Sequence, residues 1–131
     1  MVAVLDRGLE GRSVLIVEDD FDVRDALSQL LEFEGYLVAG AANGQEAIDH
    51  LRSTPRPAAI LLDLMMPVMD GYEFYARLRD LPGDHPPVIV VSAVAPRRTE
   101  LPGVHATLPK PFEFTQLLHR VAAATHGAAA N

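Results

Sequence analysis

The sequence contains no cysteine, which removes disulfides, thiolate metal sites and a cysteine nucleophile from consideration and fits a reducing compartment. No apolar run approaches the ~18–20 residues that span a bilayer, so neither a membrane-spanning helix nor a membrane partner is expected. Met1–Gly11 carries Asp6 and Glu10 and lacks the basic-then-apolar order of a secretion signal, so the expected location is cytoplasmic. Positive charge is scarce: the net charge is −7, which disfavours nonspecific binding to nucleic acid or anionic lipid. Lysine is scarcer still, because among the eleven Lys and Arg residues Lys110 alone is a lysine.

What is present is the composition of a folded domain. At 131 residues, with 49% hydrophobic and 22% charged residues, the chain has the size and balance of one globular unit. Val14–Val17 is a short apolar run of mostly β-branched residues, a buried strand by composition and length, and it ends in Glu18-Asp19-Asp20. Phe21 to Glu34 then places Val23, Ala26, Leu27, Leu30 and Leu31 at helical spacing, with Gly35 as the stop. Tyr36–Ala42 reads as a second strand, and Asn43-Gly44 opens a helix through Ala47, Ile48 and Leu51 that ends at Ser53-Thr54-Pro55. Ala58–Leu62 is the third strand. Gly71–Leu81 repeats the helical pattern with Tyr72, Phe74, Tyr75 and Leu78. Val88–Val91 and Val104–Leu108 complete five strands, and Phe112 to about Ala124 is a last amphipathic helix with Leu117, Leu118 and Val121 inward. Such alternation predicts an α/β domain with a mostly parallel sheet over residues 12–125, between an arm at 1–11 and a tail at 126–131.

Residues 60–71 draw attention to one carboxylate. The third strand delivers Asp63, followed by Met-Met-Pro and then Asp70-Gly71. Asp63 either merely opens the following turn or stands at the strand end as a chemical group, because ligands of open parallel sheets bind beyond the carboxyl ends of the strands. Those ends here are Glu18-Asp19-Asp20, the Ala41-Ala42-Asn43 turn, Asp63, Ser92 and Lys110. Crowded carboxylates raise one another's pKa unless something positive sits among them. An oxygen-only cluster without His or Cys suits Mg²⁺, and Lys110 offers a compact second positive charge.

Together these residues resemble the receiver domain of two-component response regulators. The resemblance is carried by Val-Glu-Asp-Asp at 17–20 with Arg24, by Asp63 with the following Met-Met-Pro and Asp-Gly, by Val-Ser-Ala at 91–93, and by Lys-Pro-Phe at 110–112. It runs from about Ser13 to about Ala124. It implies a flavodoxin-like, doubly wound five-stranded parallel sheet in the order 2-1-3-4-5. It also implies that Asp63 accepts a phosphoryl group and that Asp19 binds Mg²⁺ directly, with Glu18 acting through water. Asp20 is the runner-up metal ligand, and the backbone carbonyl of Met65 is a further one. By the same resemblance Ser92 hydrogen-bonds the phosphoryl oxygens, Lys110 pairs with them, and the Lys110–Pro111 bond is often cis.

Two departures from the family stand out. The aromatic residue usual three positions before the lysine is replaced by Thr107, the nearest ring being His105. Ser92 and Lys110 stand only 18 positions apart with Pro96 and Pro102 between them, so the family's fourth helix should be short, irregular or absent. Met65, Met66 and Met69 are expected to line the loop and pack on the sheet, and Arg97-Arg98 to form a solvated turn.

The expected function is that of a phosphorylation-dependent switch. The donor is a histidine kinase or histidine phosphotransfer protein, and output runs through a downstream protein target or a phosphorelay. The chain is not expected to be an enzyme beyond catalysing its own phosphorylation and dephosphorylation. Met1 and the tapering Gly127–Asn131 read as the ends of a complete, single-domain regulator. The alternative is a pseudo-receiver, an interaction module that keeps the fold without phosphorylation. A haloacid-dehalogenase-like phosphatase would want a second Asp where Met65 stands, and the acids after the first strand would repel the phosphate of a flavodoxin's FMN.

Overall fold

The computed structural model describes residues 12–129, so the expected arm at 1–11 lies outside the described residues. Five strands alternate with four helices: β1 (Ser13–Val17), α1 (Phe21–Phe33), β2 (Leu37–Ala41), α2 (Gly44–Ser53), β3 (Ala59–Asp63), α3 (Gly71–Asp80), β4 (Val88–Ser92), β5 (Ala106–Pro109) and α4 (Phe114–Ala129). The sheet is parallel throughout, in the order β2-β1-β3-β4-β5. That is the flavodoxin-like order expected.

Side chains alternate along the strands and so divide the core in two. Leu15, Val17, Ile60, Leu62, Val88 and Val90 pack with Ala47 and Ile48 of α2 and with Phe74, Tyr75 and Leu78 of α3. Val14, Ile16, Ala59, Leu61, Ile89 and Val91 pack on the opposite face with Leu27 and Leu31 of α1 and with Leu117, Val121 and Ala124 of α4. A strand covered on both faces has no solvent side to reserve for polar residues. This is why β1, β3 and β4 read as unbroken apolar runs.

The first three helices begin where their sequences say. Asp20, Asn43 and Asp70 each accept backbone N–H bonds at the first turn of α1, α2 and α3. At α2 Glu46 N donates to Asn43 Oδ1, and Glu46 Oε1 accepts from the N–H of Ala42, one residue before the cap. The inward stripe of α1 is narrower than its apolar pattern suggests, since Ala26 and Leu30 are exposed. The last helix starts two residues later than expected and runs on to Ala129, past the expected start of the tail. Ala-rich sequence continues a helix already nucleated by packing.

Between β4 and α4 the chain makes only a 3₁₀ turn at Arg98–Glu100 before β5, so the family's fourth helix is reduced to one turn. The segment is nevertheless held in place. Leu101 is buried against the α2/α3 face of the core, and the Tyr75 hydroxyl and Arg79 guanidinium both donate to the carbonyl of Pro102, at 2.6 and 2.8 Å.

Candidate functional site

Parallel register carries the polar strand ends to one edge. Val17 pairs with both Ala41 and Leu62, Asp63 with Val91, and Ser92 with Pro109. The residues immediately beyond β1 and β5, and the last residues of β3 and β4, therefore meet. Glu18 Oε1 accepts from Lys110 Nζ at 3.0 Å, and Asp63 Oδ1 lies 4.0 Å from the same ammonium. The carboxylates of Glu18, Asp19 and Asp63 each offer an oxygen within 4.8 Å of the others. Glu18 and Asp63 are buried while Asp19 faces solvent, so the cluster opens to one side. Ser92 is also buried, its Oγ accepting from Val94 N at 3.3 Å.

The site is electrostatically costly. Burial pushes the carboxyl of Asp63 above its ordinary value, offset first by the Lys110 ammonium and then by the Met65 N–H, and Asp19 pushes it up again. Burial likewise raises Glu18, against hydrogen bonds from Lys110 and the Asp20 N–H, while Asp63 adds to the rise. One lysine cannot neutralise three carboxylates. Oxygen-only donors at this spacing, two of them desolvated and under-compensated, fit a hard divalent cation such as Mg²⁺, which accepts one or two carboxylates and fills its remaining positions with water and phosphate.

The turn that carries the acids is pinned at several points. Glu18 N donates to Ala41 O at 3.0 Å, Glu18 Oε2 accepts from Asp20 N at 3.1 Å, and the Glu18 carbonyl accepts from Arg24 Nη1 at 2.6 Å. Asp20 stands apart from the cluster, because its Oδ1 accepts from Asp22 N and Val23 N as the cap of α1. Met65 N lies 3.4 Å from Asp63 Oδ1.

Behind Asp63 the loop to α3 leaves no spare room. A Cβ on Gly71 would sit 2.6 Å from the Asp63 carbonyl and 2.7 Å from Leu64 Cα. Val68, a β-branched and exposed residue, holds φ at +69°, a left-handed conformation that such side chains strongly disfavour. Met66 and Met69 are buried as expected, but Met65 is 60% exposed and belongs to neither core cluster of the described residues. Strand alternation does not extend into a loop, so the run of methionines divides between inside and outside.

On the other side of Ser92 a cavity of about 300 Å³ lies between the Ala93–Pro96 loop and Thr107. Beside it Arg98 reaches Thr107 Oγ1 at 3.4 Å. Arg97 stacks on the Tyr72 ring, its N–H donates to the Tyr72 hydroxyl, and its guanidinium pairs with Glu100. The Arg97-Arg98 pair is thus tied into the surface rather than merely solvated. The Lys110–Pro111 bond is cis.

The structure gathers Glu18, Asp19, Asp63 and Lys110 directly and sets Ser92 and Met65 beside them. The contacts of Arg24, the strained Val68 and the close approach at Gly71 are not visible in spacing alone. Arg24 lies six positions after Glu18, in the first turns of α1, and only the path of the helix across the end of β1 brings it back.

A sequence profile of the response regulator receiver domain matches residues 14–122. The response regulators MprA of Mycolicibacterium vanbaalenii and of Mycobacterium avium are each 41% identical over 114 residues, 84% of this chain. The chain spans about half the length of these curated relatives, 48% and 49% respectively. Among solved structures, the receiver domain of a signal transduction histidine kinase from Syntrophus aciditrophicus superposes with a TM-score of 0.79 at 33% identity, covering 88% of this chain and 90% of that one. The response regulator TrrA of Thermotoga maritima, solved in complex with Mg(2+)-BeF, superposes with a TM-score of 0.78 at 27% identity, covering 86% and 98%.

Proposed function

The chain belongs to the response regulator receiver domain family, and from that premise we propose that it is a phosphorylation-dependent switch whose phosphoacceptor is Asp63. The observation that carries the reading is the convergence on one sheet edge of Asp63, Glu18, Asp19 and Lys110, with the ammonium 3.0 Å from one buried carboxylate and 4.0 Å from the other.

The step is transfer from a phosphohistidine on a histidine kinase or histidine phosphotransfer protein. An Asp63 oxygen attacks phosphorus, the P–N bond breaks, imidazole leaves, and an acyl phosphate forms on the carboxylate. Asp19 and Asp63, with Glu18 and the Met65 carbonyl in support, are the groups that would hold Mg²⁺. When bound, that ion supplies positive charge against the phosphoryl oxygens. Lys110 supplies charge from the protein side and is already within ion-pair distance of Asp63. The transition state accumulates charge on the phosphoryl oxygens, so positioning and electrostatics carry most of the rate. Among the described residues the Ser92 hydroxyl is held by a single 3.3 Å bond from its own loop, so it can turn to a phosphoryl oxygen. The exposed side of the cluster at Asp19 leaves an approach for the donor. In this reading the protein catalyses only its own phosphorylation and dephosphorylation.

The product replaces one carboxylate by a group carrying nearly two charges. Drawing Ser92 toward it moves the Ala93–Pro96 loop over the cavity beside Thr107, so output runs through this loop to a downstream protein or a phosphorelay. The cytoplasmic location and the absence of nucleic-acid contact belong to the same proposal. The net charge of −7 supports the last of these. The complex of the Thermotoga maritima regulator with Mg(2+)-BeF supports the metal assignment by similarity.

The test is incubation with acetyl phosphate and Mg²⁺ followed by intact mass. The wild type is expected to gain one phosphoryl group and Asp63→Ala none, whereas an unchanged wild type or the same gain in the variant would sink the proposal. A second reading, a pseudo-receiver, draws on Thr107 and the single 3₁₀ turn. It predicts no site-specific NMR perturbation around Asp63 on Mg²⁺ titration.

A further inference from the structure

We infer that Arg24 is a positioning residue for the divalent-cation site, acting through the backbone of Glu18 from a seat on Gly40. The inference rests on the phosphoacceptor reading above, because it concerns how the acids of that same site are held.

Three contacts fix the side chain. Nη1 donates to the Glu18 carbonyl at 2.6 Å, the shortest of the bonds that pin the acidic turn. The guanidinium carbon lies 5.5 Å from the centre of the Phe21 ring, within cation–π range. The aliphatic stem lies across β2, where a Cβ on Gly40 would stand 3.0 Å from Arg24 Cδ and 3.4 Å from Cγ and Nε. Gly40, the next-to-last residue of β2, pairs with Ile16 in the sheet, so Arg24 spans from the end of β2 to the turn beyond β1. Its own N–H donates to Asp20 O at 2.9 Å, which makes its position along α1 a consequence of the same turn it grips.

Glu18 and Asp19 are neighbours whose side chains leave one short stretch of backbone. Glu18 has both carboxylate oxygens committed, to Lys110 and to the Asp20 N–H. Asp19 is exposed, and no bond to its side chain is among the hydrogen bonds of the described residues. Where the Asp19 side chain leaves the chain is therefore set by the backbone of the turn, and the Arg24 bond to the Glu18 carbonyl anchors that backbone. Groups behind metal ligands typically change affinity by about 10–100-fold when removed.

Position and charge predict opposite signs. A guanidinium on the turn that carries Glu18 and Asp19 opposes binding of a second cation, so if Arg24 acted only as a charge, its removal would tighten Mg²⁺ binding. If it acts by positioning, removal weakens binding. Arg24→Ala, measured by calorimetric Mg²⁺ titration well below its melting temperature, is expected to weaken affinity about tenfold. Arg24→Lys, which keeps a donor on a long stem, should recover part of the loss.

Gly40→Ala supplies the second arm. Its Cβ crowds the stem by a few tenths of an ångström, while alanine is the more favourable residue for an ordered strand. It is expected to weaken Mg²⁺ binding about threefold without lowering stability, and the double variant should be no weaker than Arg24→Ala alone, since the two changes act through one contact. Unchanged or tighter Mg²⁺ binding in Arg24→Ala, or strictly additive losses in the double variant, overturns the inference. Failure of the wild type itself to bind Mg²⁺ overturns both the inference and the proposed function. Binding by the wild type with no response to Arg24 overturns the inference alone.

Discussion

Replacing Asp63 by Asn should make the protein more stable at neutral pH, although it removes the proposed phosphoacceptor. The two side chains have the same shape, and Asn can still accept from Met65 N, which lies 3.4 Å from Asp63 Oδ1. What changes is charge. Asp63 faces two carboxylates within 4.8 Å, each worth about 3.5 kcal/mol of repulsion at an effective dielectric of about 20, and one ammonium at 4.0 Å worth about 4 kcal/mol of attraction. The balance favours the neutral residue by about 3 kcal/mol, with solvent screening of Asp19 acting against the gain and relief of burial adding to it. For a domain of this size that corresponds to about 8–12 °C in melting temperature.

The pH dependence follows from the direction of the shift. The native carboxyl of Asp63 titrates above the ordinary value of 3.8, so the folded state holds its proton more tightly than the unfolded one. Wild-type stability therefore falls as pH rises from 3.8 through the raised native value, and the deficit is complete above it. Below 3.8 the carboxyl is neutral in both states and the two proteins should converge. Chemical denaturation of wild type and Asp63→Asn across this range measures the gap directly. A variant no more stable than wild type at pH 7, or a gap that widens on acidification, would refute the electrostatic account. Saturating Mg²⁺ should reverse the order by stabilising the wild type, by about 4.1 kcal/mol at about a thousand times its Kd, and the variant much less.

Other perturbations probe the frame around the site. Val68→Asn should stabilise by about 1 kcal/mol, because Asn tolerates the left-handed conformation at φ +69° and the exposed valine gives up little packing; an unchanged denaturation midpoint would contradict the strain. Gly71→Ala should cost about 1–3 kcal/mol, since its Cβ meets backbone rather than a flexible side chain, and acetyl-phosphate labelling should slow with the displaced Asp63 carbonyl. Phe74→Ala, at a fully buried position between α3 and the sheet, should cost about 3–5 kcal/mol by thermal or urea unfolding; a loss under 1 kcal/mol would argue against that packing.

Much of the site was legible because its chemistry lies at strand ends. An apolar run of four or five residues announces a buried strand, and the polar residue that stops it is placed by the sheet whatever the loops do. Glu18, Asp63, Ser92 and Lys110 are all of this kind. The reduced fourth helix was legible for a different reason, since two prolines in a short span leave too few backbone donors for a longer one. Loop geometry was not legible. Met65, Met66 and Met69 look alike in sequence, yet the path of the loop exposes the first and buries the other two. The continuation of α4 to Ala129 was likewise invisible, because an alanine-rich end is helical only when a packed helix precedes it.

The sequence by itself determined the alternation of strands and helices, the two-faced burial of the sheet and the identities of the charged groups at its edge, because each depends on local periodicity and residue chemistry. Only the tertiary structure decided which of the consecutive acids share the cluster. Asp20 is turned away to cap α1, while Glu18 is fastened to Lys110 across 92 positions of chain. That choice depends on the path α1 takes across the end of β1, where Arg24 lies across Gly40 and donates to the Glu18 carbonyl. A contact between side chain and bare backbone leaves no trace in the spacing of either.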